Sequence, residues 1–394
     1  MKKVIFGTAL ASMALLSACS SDNELANVET AANNAIGFHV VGNKAETRAN
    51  IIKPGNITDT DFNVFAFTRN EDGSDGNIFM GDKTADELSK KGIKINHTKG
   101  DWDYADPADL HYWPQDTHLN FYAVNPATVT GDMQQVYLWS IEKDAKTISY
   151  TSCDEYGNSK QEDKKEVNYD VMYGITKDQT QTSNKGKVKF QFKHILSQVV
   201  FKAKTALANM EVNIKEIKIH NFRLGGVFTL PTADATEGTW KLNNPAIPSM
   251  KWGTFTVVKD QNIDVTNTGA DISVNTPMLF VPQELSNPWQ TKATTPKTKA
   301  DADADHESYL EITCKITQEG EYVFGSKDAY KTLYVPFGTT WEIGKCHIYT
   351  LIFGGGFDEN GNPILKPINF EAETTNWVED IKNNNNGNDI NIDK

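Results

Sequence analysis

Short apolar segments, separated by residues that favour turns, follow one another along most of this chain. Several alternate apolar and polar residues with a period of two, which is the pattern of a β-strand with one buried face. The density of Gly, Pro, Asn and Asp between the segments favours β-sandwiches over alternating strands and helices. The candidate strands are Phe62–Phe67, Leu119–Val124, Val136–Ile141, Val188–Phe192, Val199–Ala203, Val212–Ile219, Met278–Val281, Leu310–Ile316 and His347–Phe353.

Helical patterns are rare in the sequence. One short helix is predicted where Thr84 and Glu87 form a capping box and Gly92 ends the element. Such a helix would decorate a loop of a β-sheet protein. The pattern as a whole therefore predicts an all-β fold.

A further strand pattern stands alone near the N-terminus, ahead of a polar linker. Ile36, Phe38 and Val40 recur at period two and would share one buried face. The polar stretch from residue 43 to residue 50 follows and contains Arg48. We expect this stretch to be exposed.

The first nineteen residues have the features of a bacterial export signal. Two lysines precede an apolar stretch, Val4–Leu16, that is too short to cross a bilayer. It ends in Leu-Ser-Ala-Cys at Cys19, which resembles a lipobox, where the cysteine is acylated and becomes the new first residue. The acidic run Ser20–Glu24 resembles the tag of lipoproteins sent to the outer cell surface. We expect residues 1–18 to be removed and a lipid on Cys19 to attach the protein to the outer membrane; the alternative is an ordinary signal peptide with an incidental cysteine.

Length and charge set limits on the architecture and the partners. The 394 residues suit about two domains, and the polar run Asp178–Gly186 marks a boundary between them. This predicts domains at 49–186 and 187–381, with a polar tail at 382–394. The net charge of −13 argues against nucleic acid as a partner, because phosphates would not be neutralised.

The cysteines beyond Cys19 leave two alternatives open. Cys314 and Cys346 both lie in strand-like segments, so a disulfide between them and two buried free thiols are both compatible with the sequence. We favour buried thiols, since Cys153 would in any case be left over. No Cys-x-x-Cys pair occurs, which disfavours a zinc site.

A search for catalytic and metal-binding motifs yields little. The chain has no Gly-x-Ser-x-Gly elbow, no His-Glu-x-x-His and no phosphate-binding loop, so we expect no enzyme and no cofactor. Asp301, Asp303 and Asp305 with Glu307 could converge on calcium. The glycine turn and the distal bidentate glutamate of a calcium loop are missing, so a solvated acidic loop without metal is favoured.

A series of motifs runs along the chain in a fixed order behind the export signal. They are Thr47-Arg48-Ala49 ahead of Asp61–Phe67, then Tyr169–Gly174, Phe192–Phe201, Val281–Leu285, Trp341–Tyr349 and the closing segment Ile368–Trp377. Together they resemble the fimbrillin family, the subunits of the protease-assembled (type V) pili of anaerobic gut and oral Gram-negative bacteria. The resemblance covers nearly the whole chain.

The resemblance implies a fold, partners and a processing step. It implies two transthyretin-like β-sandwich domains in tandem, preceded at 19–48 by a tether and a removable first strand. An arginine-specific protease would cut between Arg48 and Ala49 and release the strand that carries Ile36, Phe38 and Val40. The open groove would then accept a strand from another fimbrial subunit, and this sequence agrees with that mechanism because a one-faced strand precedes an exposed arginine.

Two questions stay open at this point. The donor strand could be Asn388–Asp393, which offers only Ile390 and Ile392, or a segment at Ile364–Phe370 or Val378–Ile381. A stalk position and a tip or accessory position both remain.

A different class of function is also compatible with the sequence. A surface lipoprotein that binds glycans and is never polymerised would keep its lipid and expose coplanar aromatic rings. Trp102, Trp113 and Trp289 are the candidates for such rings.

Overall fold

The structure, a computed structural model, is an all-β protein. Within the part described, no helix is both long and apolar enough to cross a membrane. The export signal, Cys19, Cys153, Arg48 and the helix predicted at Thr84 fall outside that part. The structure describes residues 34–41, 57–81, 92–98, 100–127, 137–152, 170–232, 236–242, 252–273, 278–291, 297–354, 358–360, 369–376 and 390–391.

The first half of the described chain builds one large sheet. Nine of its strands pair in the order β10-β1-β5-β4-β2-β6-β9-β11, with β3 attached to β2. Short 3₁₀ turns at Ile57–Asp59, Pro107–Asp109 and Ser183–Gly186 connect them. The strands of this half, of which β7 and β8 belong to a smaller sheet, are β1 (Gly37–Val40), β2 (Asp61–Arg69), β3 (Asp75–Met80), β4 (Ile93–Thr98), β5 (Asp101–Tyr104), β6 (Leu119–Asn125), β7 (Tyr137–Ile141), β8 (Lys146–Thr151), β9 (Met172–Gln179), β10 (Lys187–Phe190) and β11 (Lys193–His194).

The second half builds two further sheets that face each other. One has the order β18-β12-β25-β26-β27 with β19 on β12, and the other β16-β13-β21-β22 with β17 on β13 and β23 on β21. The strands are β12 (Ser197–Thr205), β13 (Met210–Arg223), β14 (Gly225–Thr229), β15 (Thr239–Lys241), β16 (Trp252–Val258), β17 (Ile263–Val265), β18 (Ala270–Asp271), β19 (Met278–Phe280), β20 (Gln283–Leu285), β21 (Tyr309–Gln318), β22 (Glu321–Phe324), β23 (Lys331–Pro336), β24 (Thr339–Trp341), β25 (Lys345–Phe353), β26 (Asn369–Asn376) and β27 (Ile390–Asn391).

Two smaller sheets complete the fold. Strands β20 and β24 form a two-stranded ribbon, and a four-stranded sheet has the order β15-β14-β8-β7. The four-stranded sheet joins strands from both sides of residue 186, because β8 pairs antiparallel with β14 from Gly225↔Thr151 to Thr229↔Thr147.

Strand β2 explains why some segments read as continuous apolar runs rather than alternating ones. Phe62, Val64 and Ala66 face one core of the nine-stranded sheet, whereas Phe65 and Phe67 face a second core on the opposite side. Both faces are therefore buried, and polar positions are not needed. The neighbouring β6 follows the same rule.

The core of the second half lies between its two six-stranded sheets. Phe201 and Leu351 from one sheet meet Ile217 and Ile312 from the other in a single apolar cluster. Cys314 belongs to this cluster and Cys346 to a smaller one, and both are buried free thiols. Of the two alternatives for these cysteines, the structure therefore has the thiols, and burial raises the pKa of Cys346 to about 12.

The segment that was expected to be a solvated acidic loop folds differently. Residues Lys299–Ala304 form helix α1, whose N-cap Thr298 and third helical residue Asp301 make a reciprocal capping box. Glu307 is buried and pairs with Lys297, so the expectation of a solvated carboxylate was wrong at that position. Within the described residues, no group of three or more His, Cys, Asp or Glu could hold a metal ion.

Candidate functional site

Strand β1 lies inside the nine-stranded sheet, between β10 and β5. It runs parallel to β10 with Phe38 opposite Val188 and Val40 opposite Phe190. On its other side it is antiparallel to β5, where Phe38 lies opposite Trp102. The most N-terminal described strand thus occupies an interior position, flanked by strands that come much later in the chain.

Main-chain and side-chain hydrogen bonds extend this pairing beyond the strand at both ends. The Ile36 nitrogen donates to the His111 carbonyl at 2.9 Å, and the Val41 nitrogen donates to the Phe190 carbonyl at 2.9 Å. The hydroxyl of Tyr104 donates to the Ile36 carbonyl at 3.0 Å. Burial raises the pKa of Tyr104, so this hydroxyl keeps its proton and remains a donor.

The side chains of β1 alternate between core and solvent, as the sequence pattern indicates. Ile36, Phe38 and Val40 are 1%, 3% and 8% exposed, whereas His39 and Val41 face solvent. Burying three such side chains contributes roughly 5–9 kcal/mol before the cost of ordering the segment. The strand is therefore held mainly by its apolar face.

Aromatic rings form most of the slot that receives Phe38. Its ring centroid is 5.5 Å from that of Tyr104 and 6.4 Å from those of Phe62 and Phe190. Phe62 in turn contacts Trp102 at 5.0 Å between centroids. These rings come from β2, β5 and β10, so the slot is assembled from distant parts of the chain and can take an extended apolar segment.

Trp113 closes one end of this region. Its indole nitrogen donates to the Gly186 carbonyl at 3.1 Å, immediately before β10 begins. The ring itself is buried and contacts Phe121 in the same core. This bond ties the start of β10 to the loop after Pro107–Asp109, which helps to hold one wall of the slot.

The structure brings together only some of the residues singled out from the sequence. Ile36, Phe38 and Val40 form one buried face, whereas Cys19, Arg48 and Ala49 lie outside the described residues. Among the candidate donor segments, the backbone of β27 pairs with β26, with Ala372 opposite Ile390.

Sequence reasoning missed the strands that flank β1. Val188 and Phe190 alternate clearly, yet nothing in a local pattern says that their partner is β1. The three tryptophans that the glycan-binding alternative requires to be exposed are not: Trp113 and Trp289 are buried, and Trp102 is half-buried against Phe62.

Comparison with known proteins shows the family. A family model described as fimbrillin-like matches residues 47–377, which is most of the chain. No curated protein matches the chain significantly.

Solved structures share the fold at low sequence identity. A fimbrial protein from Bacteroides vulgatus has a TM-score of 0.56 at 19% identity, covering 88% of this chain and 100% of that chain. A proposed cell adhesion protein from Bacteroides uniformis has a TM-score of 0.43 at 12% identity, covering 87% and 99%. A fimbrial assembly protein from Parabacteroides distasonis has a TM-score of 0.31 at 11% identity, covering 87% and 95%. The first of these supports the fold, and the family model, with its match from residue 47 to residue 377, shows that this chain belongs to the fimbrillin-like family.

Proposed function

We propose that this chain is a structural subunit of a cell-surface fimbria and that it supports adhesion. Membership of the fimbrillin-like family favours this role over catalysis. The observation that carries the proposal is the position of β1, which is paired on both sides and buried on one face, yet precedes Arg48 in a polar segment. Such a strand fills a slot that another strand could fill.

The assembly mechanism that we propose follows from this position. The precursor is exported as a lipoprotein acylated at Cys19, and an arginine-specific protease cuts between Arg48 and Ala49. Loss of β1 would leave a gap one strand wide between β5 and β10, with unpaired main-chain donors and acceptors beside apolar side chains. Strand addition from another fimbrial subunit would restore both the hydrogen bonds and the burial.

The slot sets conditions on the incoming strand. A strand that reproduces the pairing of β1 would run parallel to β10 and antiparallel to β5, with apolar side chains at three alternating positions. The C-terminal tail offers Ile390 and Ile392, which are fewer anchors than Ile36, Phe38 and Val40. This weighs against a stalk subunit that donates its own tail and favours a tip or accessory position.

The proposal includes two transthyretin-like sandwiches at 49–186 and 187–381. The apolar core between the two six-stranded sheets lies wholly within the second unit and supports this division, whereas the other two large cores also contain residues from beyond residue 186. Strands β10 and β11, which follow residue 186, pair with β1 and β9, and β14 pairs with β8, so the two units would share sheets.

The alternative function, a glycan-binding lipoprotein that is never polymerised, finds no support at the residues first considered. Trp113 and Trp289 each bury their rings and donate their indole N–H groups to main-chain carbonyls, Gly186 and Lys297 respectively. They are packing residues rather than an exposed platform.

The test of the proposed function is the N-terminus of the protein sheared from cells, determined by mass spectrometry. We expect a start at Ala49 in the wild type. Arg48→Ala should retain acylated Cys19 and should be missing from the sheared polymer. Arg48→Lys should behave in the same way if the protease requires arginine.

Lys44→Ala is the matched control, because it removes a positive charge from the same polar segment and should be processed normally. Polymers whose subunits begin at acylated Cys19 would overturn the proposed mechanism. Normal assembly by Arg48→Ala would do the same.

A further inference from the structure

A polar groove of about 630 Å³ lies on the outer face of β13, β17, β21 and β22, away from β1. The inner residues of these strands, such as Val212 and Ile316, are in the core of the second half. The alternate residues point outward and line the groove. It therefore belongs to a rigid, paired sheet.

The residues of the groove stand in two rows across the strands. In the first row Glu211 is opposite Thr317, and Thr317 is opposite Tyr322. In the second row Asn213 lies between Asp264 and Lys315.

One wall of the groove is already positioned by internal contacts. The Asn213 amide donates to the Asp264 carboxylate at 2.6 Å, which directs its carbonyl oxygen to the Tyr330 hydroxyl, also at 2.6 Å. The ring of Tyr330 lies 4.4 Å from the ammonium nitrogen of Lys315. These contacts keep the polar groups in place without a ligand, which lowers the cost of binding one.

Other polar groups of the groove are exposed or half-exposed and can bond to a ligand in place of water. Among the described residues, neither the Glu211 carboxylate, the Thr317 hydroxyl nor the Tyr322 hydroxyl has a hydrogen-bond partner. Tyr322 lies on the short edge strand β22 and is 44% exposed. An exposed aromatic ring beside hydrogen-bonding groups can bind a ligand that has both an apolar face and polar groups.

We propose that this groove binds a neutral saccharide. A sugar ring offers a C–H face to Tyr322 and hydroxyl groups that donate to Glu211 and accept from Lys315. An anionic ligand would be repelled by Glu211 and Asp264, whereas a purely apolar ligand would bury these charges without partners. A peptide strand cannot add to the floor, because β13 and β21 are paired on both sides.

The site would give a fimbrial subunit a means of contact with a glycan surface. It does not depend on the removal of β1, since none of the groove residues belongs to the nine-stranded sheet. Failure of either proposal therefore leaves the other standing.

The test uses the full-length protein in detergent and saturation-transfer NMR with methyl glycosides of galactose, glucose, mannose, fucose, N-acetylglucosamine and N-acetylgalactosamine, with sialic acid as an anionic comparison. Calorimetry then gives the dissociation constant of any neutral sugar that binds. We expect Tyr322→Ala and Glu211→Gln each to weaken binding about tenfold, the loss of one good contact. Thr317→Val, which replaces the hydroxyl by a methyl group, should also weaken it.

Tyr112→Ala is the matched control, because Tyr112 is 52% exposed and lies outside the groove. Its affinity should stay within about twofold of the wild type, a difference too small to count as a lost contact. Unchanged thermal unfolding midpoints will show that the variants are folded. Binding by no neutral sugar, tighter binding of sialic acid, or binding that survives the groove substitutions would each overturn the proposal.

Discussion

Several polar residues in the family motifs are buried or half-buried, and each has a specific hydrogen-bond partner. The side-chain amide of Gln283 donates to the Arg223 carbonyl and accepts from the Arg223 nitrogen, both at 2.8 Å. The Gln283 side chain thus supplies the donor and the acceptor that a neighbouring strand would otherwise offer to the last residue of β13. Asp170 and His194, from two different motifs, approach to 2.9 Å between carboxylate and ring nitrogen. His194 lies in an apolar run of the sequence, and its partner is evident only from the structure.

His347 provides a prediction about pH. Its Nε2 accepts a hydrogen bond from the Glu342 nitrogen at 3.0 Å, and burial, with a smaller effect of Lys345, lowers its pKa to about 4 from the ordinary 6.5. Between these values the unfolded chain binds the proton and the folded chain does not. Stability from neutral His347 is therefore complete above pH 6.5 and is lost as the pH falls towards 4, by up to about 3 kcal/mol.

The measurement is urea denaturation of the wild type and His347→Gln at a series of pH values. The slope of the unfolding free energy against pH should be shallower in the variant between pH 6.5 and 4. Slopes are compared rather than absolute values, because glutamine also alters the bond to Glu342. Parallel curves for the two proteins would contradict the prediction.

Among the strands, β1 is buried on one face only, whereas β2 is buried on both faces. A strand with three apolar side chains on one face can be exchanged for another of the same pattern. The slot selects for apolar side chains at every second position rather than for particular residues. Strand β2 carries side chains of two cores and cannot leave without opening both. This difference supports the proposal that β1 is the strand that is removed.

Phe38→Ala tests the contribution of β1 to the uncut protein. Removing a buried phenylalanine ring from a slot lined by Phe62, Tyr104 and Phe190 should lower the free energy of unfolding by about 3–5 kcal/mol. Denaturant unfolding in an Arg48→Ala background measures this loss on the precursor. The neighbouring exposed residue supplies the control: His39→Ala should change stability by less than about 0.5 kcal/mol. Equal losses in the two variants would mean that β1 is not held by its apolar face.

In the whole molecule, a buried ion pair connects the nine-stranded sheet to the four-stranded sheet. Asp75 on β3 and Lys146 on β8 form a buried ion pair at 2.6 Å, with side chains only 5% and 11% exposed. Tyr122 and Asn120 donate to the same carboxylate at 2.8 and 2.7 Å. The ammonium nitrogen of Lys146 also lies 4.6 Å from the centre of the Tyr122 ring. The contact joins two sheets that also share an apolar cluster.

Lys146→Met should destabilise the protein by about 3–5 kcal/mol, because it leaves the Asp75 carboxylate buried without a cation. The double variant Asp75→Leu with Lys146→Met should recover part of this loss, since no unpaired charge remains, although Tyr122 and Asn120 lose an acceptor. Chemical denaturation of the two variants and the wild type makes the comparison. Asp101→Asn removes a carboxylate that is 80% exposed and should cost less than about 1 kcal/mol. A double variant as unstable as the single one would show that the ion pair itself is required.

Local alternation in the sequence was enough to determine the all-β class, most strands and the buried face of β1. It could do so because the orientation of successive side chains depends only on neighbouring residues. The same reasoning could not find the capping helix α1, where buried Glu307 and its partner Lys297 form a pair that no period reveals.

Only the tertiary structure decided that β1 lies between β5 and β10, that β8 pairs with β14 across residue 186, and that Trp113 and Trp289 are buried. Strand partners and the polar groove on β13, β17, β21 and β22 depend on which distant surfaces bury the most apolar area while satisfying every main-chain group. That choice is a property of the whole chain, and no local segment of it carries the answer.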